Sequence, residues 1–185
     1  MEISEEPWTC RNPAAGRLQL VQLEPSVLAA LAGGDLVAAR RATARDLTPY
    51  LASDDCVGVW RIRRDQLARN PADAAWVTRL AVDRGSGKVV GRAGYHGPPD
   101  EAGMVEVGYS IDPVHRRQGY ARAALVILLE TAREHPGISV VRASVRPDNT
   151  PSRRLLDQYG FQEVGEQWDD VDGLETVLEV PCPCS

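Results

Sequence analysis

A basic turn that contains one glycine lies past the middle of the chain, at Arg116-Arg117-Gln118-Gly119-Tyr120-Ala121. It follows a strand-like segment and leads into a stretch whose apolar residues have helical spacing. The first backbone N–H groups of a helix lack intrahelical acceptors, and with the helix dipole they form a site suited to a diphosphate. Gly119 and the small Ala121 leave room for a ligand. Three arginines add positive charge: Arg116, Arg117 and Arg122. The turn therefore predicts a diphosphate site.

Two competing phosphate motifs do not fit the sequence. The segment Gly85-Ser86-Gly87-Lys88 lacks the upstream glycine of a P-loop and the Ser or Thr that follows its lysine. No G-x-G-x-x-G follows a predicted strand, so a dinucleotide-binding fold is not supported.

The elements that position the turn follow from the spacing of apolar residues and from the Gly and Pro residues between them. The predicted strands cover 17–23, 76–82, 89–95, 104–111, 138–145, 161–166 and 174–180. The predicted helices cover 25–32, pieces of 35–70 with a break near Pro49, 119–134 and 149–159. Short loops join three central strands into an antiparallel meander, and the helix after it implies a parallel crossover. The sum is a mixed-sheet α/β domain without internal repeats.

The composition indicates one ordinary globular domain, because 43% of the 185 residues are hydrophobic and 25% are charged. A net charge of -5 gives no electrostatic case for binding nucleic acid. No window approaches twenty apolar residues, so we expect no membrane span. The acidic start lacks an apolar run, so we expect no secretory signal. We expect a flexible arm over 1–16, the domain over 17–181 and a tail over 182–185.

The four cysteines are scattered along the chain: Cys10, Cys56, Cys182 and Cys184. The pair Cys182-Pro183-Cys184 closes too small a ring for an easy disulfide and lacks nearby Cys or His partners for a metal. We therefore expect no metal and a reducing, cytoplasmic setting.

The turn and its neighbours resemble the Gcn5-related N-acetyltransferase (GNAT) superfamily, whose signature is [RQ]-x-x-G-x-[GA] between a strand and a helix. Arg116-x-x-Gly119-x-Ala121 matches that signature, and the segment 105–113 looks like the family's fourth strand. The segment Asn149-x-x-Ser152-x-x-Leu155-Leu156-x-x-x-Gly160-Phe161 looks like its second CoA-contacting helix. The start Gly16-Arg17-Leu18-Gln19-Leu20 and the Asn-x-x-Ser form are similar to the RimJ/RimL-like branch. The resemblance covers roughly residues 17–180.

This resemblance implies the GNAT fold, an antiparallel meander followed by a β-α-β-α half that binds CoA. It implies acetyl-CoA as the co-substrate. The residues expected to bind its pyrophosphate are Arg116, Arg117, Gln118, Gly119, Tyr120, Ala121 and Arg122. The Ile111 backbone, the Tyr109 region and Asn149 are expected to contact the pantetheine arm. A backbone N–H of the fourth strand would hold the oxyanion.

The activity that the resemblance implies is transfer of an acetyl group to a primary amine. We expect the acceptor to be a small molecule, an amino acid or a protein N-terminus, and the enzyme to be a monomer or homodimer. From the charge and the lack of a long apolar segment, we expect no nucleic-acid or membrane partner. A non-catalytic CoA sensor or interaction module with the same fold is the alternative. Residues 35–75 and 96–103 would line the acceptor side, and nothing in them specifies an acceptor.

Glu106 and Ser152 are the candidate catalytic residues. Glu106 lies on the strand that holds the thioester in the family, at a position where several members carry a base. It is expected to act as a base, since desolvation raises the pKa of a carboxyl group, or instead to pair with an arginine or hold the substrate ammonium. Ser152 is expected to protonate the leaving thiolate, or only to support the helix start or bind the ligand.

Other residues near these positions are less favoured as catalytic or acceptor-binding residues. Leu156 replaces the tyrosine acid of many relatives, and Tyr159 is out of register and is interpreted as packing. His96 is a secondary candidate near the acceptor cleft. The acidic run consists of Asp169, Asp170, Asp172 and Glu175. It is either a solvated loop or an attractor for a cationic acceptor.

Overall fold

A computed structural model of the chain describes residues 3, 6–170 and 173–182. The strands are β1 (Leu18–Val21), β2 (Arg79–Asp83), β3 (Val89–Tyr95), β4 (Met104–Ile111), β5 (Val140–Val145), β6 (Gln162–Asp169) and β7 (Gly173–Pro181). The helices are α1 (Pro25–Ala32), α2 (Leu36–Arg41), α3 (Asp54–Arg69), α4 (Tyr120–Glu134) and α5 (Thr150–Gln158). Two residues named in the sequence analysis, Asp172 and Cys184, lie outside the described residues.

One seven-stranded sheet carries the fold, in the order β1-β2-β3-β4-β5-β7-β6. Strands β1 to β4 form the antiparallel meander, and β5 lies parallel to β4 after the crossover through α4. Strand β7 is antiparallel to β5 and carries β6 on its outer side. The predicted mixed α/β architecture and the parallel crossover are both confirmed.

The two faces of the sheet are covered by different helices. Helix α4 is buried along most of its length and packs on one face, where the Tyr95 hydroxyl donates to the Leu128 carbonyl. Helices α1 and α3 cover the meander on the other face, with Leu31 and Trp60 fully buried there. Because side chains alternate along a strand, each residue of β3 and β4 faces one helix layer or the other.

Residues 6–16 differ from the flexible arm that the sequence predicts over 1–16. Trp8 is buried, and it exchanges two backbone hydrogen bonds with Leu20 of β1, each 2.9 Å long. Its ring packs on Tyr95 and lies under the Arg79 guanidinium at 3.8 Å. Trp8 and the buried Ala15 therefore belong to the core, where burial of the large indole ring removes apolar area from water.

Within the described residues, none of the helices has the length and apolar character needed to cross a bilayer.

Candidate active site

Strands β4 and β5 pair over three residues only and then separate. The pairs run from Met104 with Val140 to Glu106 with Arg142, whereas β5 continues to pair with β7 as far as Val145. Glu106 is therefore the last residue of β4 that pairs with β5, and it lies at the vertex of a gap between the two strands.

The backbone of β4 beyond Glu106 points hydrogen-bonding groups into this gap. The His96 N–H donates to the Glu106 carbonyl at 2.8 Å, so the even-numbered residues of β4 face β3. Because backbone groups alternate sides in an antiparallel ladder, the N–H and C=O groups of the next odd-numbered residues face the gap. These residues are Val107, Tyr109 and Ile111.

The basic turn follows β4 directly and has the backbone of an anion site. Arg117 and Gly119 have positive φ angles of 61° and 86°, which turn successive N–H groups towards one side. Among the described residues, the backbone N–H groups of 117–122 have no hydrogen-bond acceptor. These unpaired donors, at the start of the 15-residue helix α4, suit a diphosphate.

The basic side chains of the turn have separate local roles. Arg116 folds back, and its Nε donates to the Ile111 carbonyl at 3.0 Å. Arg122 joins the two helices beside the gap, since its Nη2 donates to Gln158 of α5 at 2.8 Å. The exposed Arg117 and Gln118 remain at the surface of the turn.

Tyr120 positions the turn through its side chain, which is buried. Its hydroxyl donates to Asp83 Oδ2 at 2.9 Å and also contacts the Arg17 guanidinium. Asp83 additionally accepts from Arg17 at 3.0 Å and from the Ser86 backbone N–H and hydroxyl. Burial raises the pKa of Asp83, but these hydrogen bonds outweigh it and hold that pKa well below its ordinary value. Only the backbone of Tyr120 is left to face a phosphate.

Glu106 and His96 form a pair on the face of the sheet that α3 covers. His96 Nδ1 lies 3.8 Å from Glu106 Oε2, and the Glu106 side chain is 19% exposed. Gly108 makes room for the ring, because a Cβ at this position would lie 2.9 Å from His96 Nε2. Burial lowers the pKa of His96, and the Glu106 charge opposes that shift. His96 is thus a neutral acceptor at neutral pH. The structure brings the primary and the secondary candidate together.

Tyr109 and Ser152 form a second pair at the gap, since their hydroxyl oxygens lie 2.9 Å apart. Burial raises the pKa of Tyr109, and the Ser152 hydrogen bond opposes the rise, so the phenol stays protonated at neutral pH. Asn149 accepts from the Ser152 N–H at 3.3 Å and caps α5. Leu156 is buried, and Tyr159 packs against the core as predicted.

The family model for the acetyltransferase (GNAT) domain matches residues 17–162. The chain belongs to the GNAT acetyltransferase family. The predicted superfamily is confirmed, and so is its fold.

The chain is also similar in sequence to curated relatives and in fold to solved GNAT structures. The uncharacterized N-acetyltransferase YjdG of Bacillus subtilis is 32% identical over 98 residues, which are 53% of this chain and 58% of YjdG. The chain spans about half the length of the curated relatives that it matches. RimJ of Mycobacterium smegmatis, solved in complex with CoA-disulfide, has a TM-score of 0.61 at 19% identity, over 89% of this chain and 81% of RimJ. A chimera of the spermidine N-acetyltransferase SpeG from Vibrio cholerae and hSSAT has a TM-score of 0.64 at 15% identity, over 89% and 95%.

Three residues of this GNAT site were missed by the sequence analysis: Tyr50, Arg63 and Arg92. Tyr50 lies in a short helical turn, and its hydroxyl is 2.5 Å from that of Ser110 on β4. Arg63 of α3 donates to Thr78 and to the His96 carbonyl. The pKa of Arg63 is lowered to about 10, mainly by burial and to a smaller extent by the charge of the neighbouring Arg92. An arginine in an ordinary helix or strand carries no local signal of such a position.

Proposed function

We propose that this chain is an acetyl-CoA-dependent N-acetyltransferase whose acceptor is a primary amine. The observation that carries the proposal is the position of Glu106 at the vertex of the gap between β4 and β5, with the phosphate-type turn at the other end of the exposed edge of β4. An extended ligand lying along that edge would have its diphosphate at the turn and its reactive end beside Glu106.

The donor half of the proposal is supported by the unpaired backbone groups. The N–H groups of residues 117–122 would bind the pyrophosphate. The backbone of Tyr109 and the Ile111 N–H would pair with the amides of the pantetheine arm, as an added strand pairs with a sheet edge, while the Ile111 carbonyl already accepts from Arg116. One of the same N–H groups would stabilise the oxyanion that forms at the thioester carbonyl.

The two side-chain pairs divide the proton transfers between opposite faces of the sheet. Glu106 and His96 would take the proton that the amine loses as its nitrogen attacks the carbonyl carbon. Tyr109 and Ser152 would supply the proton that the thiolate takes as the C–S bond breaks. Side chains alternate between the two faces of a sheet along a strand. Glu106 and Tyr109 are an odd number of positions apart, so their side chains lie on opposite faces.

The proposal is tested by incubating the protein with acetyl-CoA and a panel of primary amines while free thiol is titrated. We expect amine-dependent thiol release, and loss of that release in Glu106→Gln with CoA affinity retained. Tight CoA binding without transfer to any amine would instead support the non-catalytic CoA-binding alternative.

A further inference from the structure

Arg92 of β3 lies on the same face of the sheet as Glu106. It pairs in register with Leu80 of β2 and Ser110 of β4, and residues paired in this way share a face. Leu80 packs in the core cluster below α1 and α3, and Ser110 is hydrogen-bonded to Tyr50. Arg92 is therefore held beneath the helices that cover the acceptor side.

The Arg92 guanidinium has no hydrogen-bond or ion-pair partner among the described residues, and its Nε is buried. A buried cationic donor without a partner costs free energy. The other arginines of this face differ. Arg63 donates to Thr78, Gln66 and the His96 carbonyl, and Arg142 is paired with Glu179 at 2.6 Å. Within the part of the chain that the structure describes, Arg92 is thus a cation on this face whose terminal nitrogens are free for a ligand.

Glu106 and Arg92 are at different positions along this face of β4. Burial lowers the pKa of His96; the charges of Glu106 and Asp169 oppose that shift, and those of Arg63 and Arg92 add to it. Asp73, the other nearby carboxylate, is already satisfied by Gln66 and Asn70. Arg92 is level with Ser110, four residues along β4 from Glu106, which is about 13 Å between Cα atoms.

From this separation we infer that the acceptor is an amine that also carries a carboxylate, with the amine at Glu106 and the carboxylate on Arg92. The inference rests on the proposed function and names the substrate class of the same site. A guanidinium binds a planar carboxylate through two nitrogens. The distance between Glu106 and Arg92 along β4 favours an acceptor with several bonds between its amine and its carboxylate, as in an ω-amino acid or a short peptide. A polyamine would bring positive charge against Arg63 and Arg92.

The test compares each carboxylate with its uncharged amide: glycine, 4-aminobutyrate, 6-aminohexanoate and glycylglycine against their carboxamides, with spermidine as the polyamine. For the wild type we expect kcat/KM to favour the best carboxylate over its amide by about tenfold or more. In Arg92→Gln that preference should fall to near one, and Arg92→Lys should be intermediate, because lysine keeps the charge but loses the fork. Dividing the wild-type ratio by the variant ratio for one substrate pair cancels the intrinsic reactivity of the amines.

Arg133→Gln is the matched control, since this exposed arginine lies on the last turn of α4 on the opposite face of the sheet. It should keep the wild-type preference, and all three variants should keep wild-type CoA affinity. Equal rates for carboxylates and amides, or a preference for spermidine, would overturn the inference while leaving the proposed function intact. If no amine is acetylated, the proposed function fails. Calorimetry of 6-aminohexanoate with the CoA complex then still decides the inference, which requires weaker binding to Arg92→Gln than to the wild type.

Discussion

The phenol oxygen of Tyr109 lies 2.9 Å from the Ser152 hydroxyl, so a side-chain hydrogen bond joins β4 to the start of α5. The two residues are separated by more than forty positions in the chain, and the pair lies where β4 has lost its β5 partner. Two hydroxyl groups in this position can pass a proton to a leaving thiolate, whichever of them is in direct contact with it.

Removal of either hydroxyl should slow the chemical step. Tyr109→Phe and Ser152→Ala are each expected to lower kcat by about a hundredfold, and the double variant should be little slower because the two act as a unit. Thiol release at saturating substrates measures this. Tyr159→Phe, a tyrosine that packs against the core, should keep full kcat. Full activity in Tyr109→Phe would mean that Ser152 needs no partner.

Substitution of Gly119 should abolish CoA binding. A Cβ at Gly119 meets no atom within 4 Å, and φ is +86°, so Gly119→Glu adds bulk and negative charge where the phosphates would lie. Gly87→Glu is the matched control, because Gly87 also has open space and a φ of +73° but lies in the β2–β3 turn. Both variants should lose similar stability, about 1–2 kcal/mol. Calorimetric titration should show lost CoA affinity in Gly119→Glu only, and equal affinity in both would contradict the site.

The Asp83 network should make stability depend on pH. Burial raises the pKa of Asp83, but its hydrogen bonds lower it below the ordinary value. The stabilisation is therefore fully present above the unfolded pKa of about 4 and is lost as the pH falls below it. Asp83→Asn should lower the melting temperature by about 5 °C at pH 7 and by less at pH 3.

The exposed Asp148, paired with Arg146, offers a control for this measurement, since Asp148→Asn should change the melting temperature little at either pH. Thermal unfolding followed by circular dichroism is sufficient. An Asp83→Asn difference that is the same at pH 7 and pH 3 would show that the carboxylate charge contributes nothing.

The His96–Glu106 pair should make the rate of the reaction fall at acidic pH. Burial, opposed by the Glu106 charge, holds the pKa of His96 below its ordinary value, so His96 accepts a proton only as the pH falls below about 6.5. We expect the wild-type rate to decline in that range and His96→Gln to lack the decline. The ratio of the two rates at each pH cancels the titration of the amine itself. A constant ratio from pH 5 to pH 8 would remove His96 from the mechanism.

Gly108 tests whether the position of the His96 ring matters. A Cβ at Gly108 would lie 2.9 Å from His96 Nε2, so Gly108→Ala should move the ring away from Glu106 and lower kcat about tenfold. CoA affinity should be unchanged. Gly165→Ala in β6, where a Cβ meets nothing within 4 Å, should have wild-type kcat. If the two variants are equally active, the ring position is not critical.

Most of the fold and the position of the basic turn before α4 could be predicted because their signals are local. The period-two strands, the helical spacing of α4 and α5, and the glycines at the turns each depend on residues a few positions apart. Residues 6–16 were the exception, since burial of Trp8 depends on Tyr95 and Arg79, which are far away in sequence.

The sequence by itself determined the phosphate-type turn at 116–122, the two helices beside it and Glu106 and Ser152 as candidates, because motif and periodicity reside in consecutive residues. Only the tertiary structure decided that Glu106 ends the β4–β5 pairing and meets His96, and that Tyr109 reaches Ser152. It alone decided that Arg92 lies beneath α3 without a partner among the residues that the structure describes. The physical reason is that register, strand separation and burial are set by packing between distant segments, and no local pattern of residue types records them.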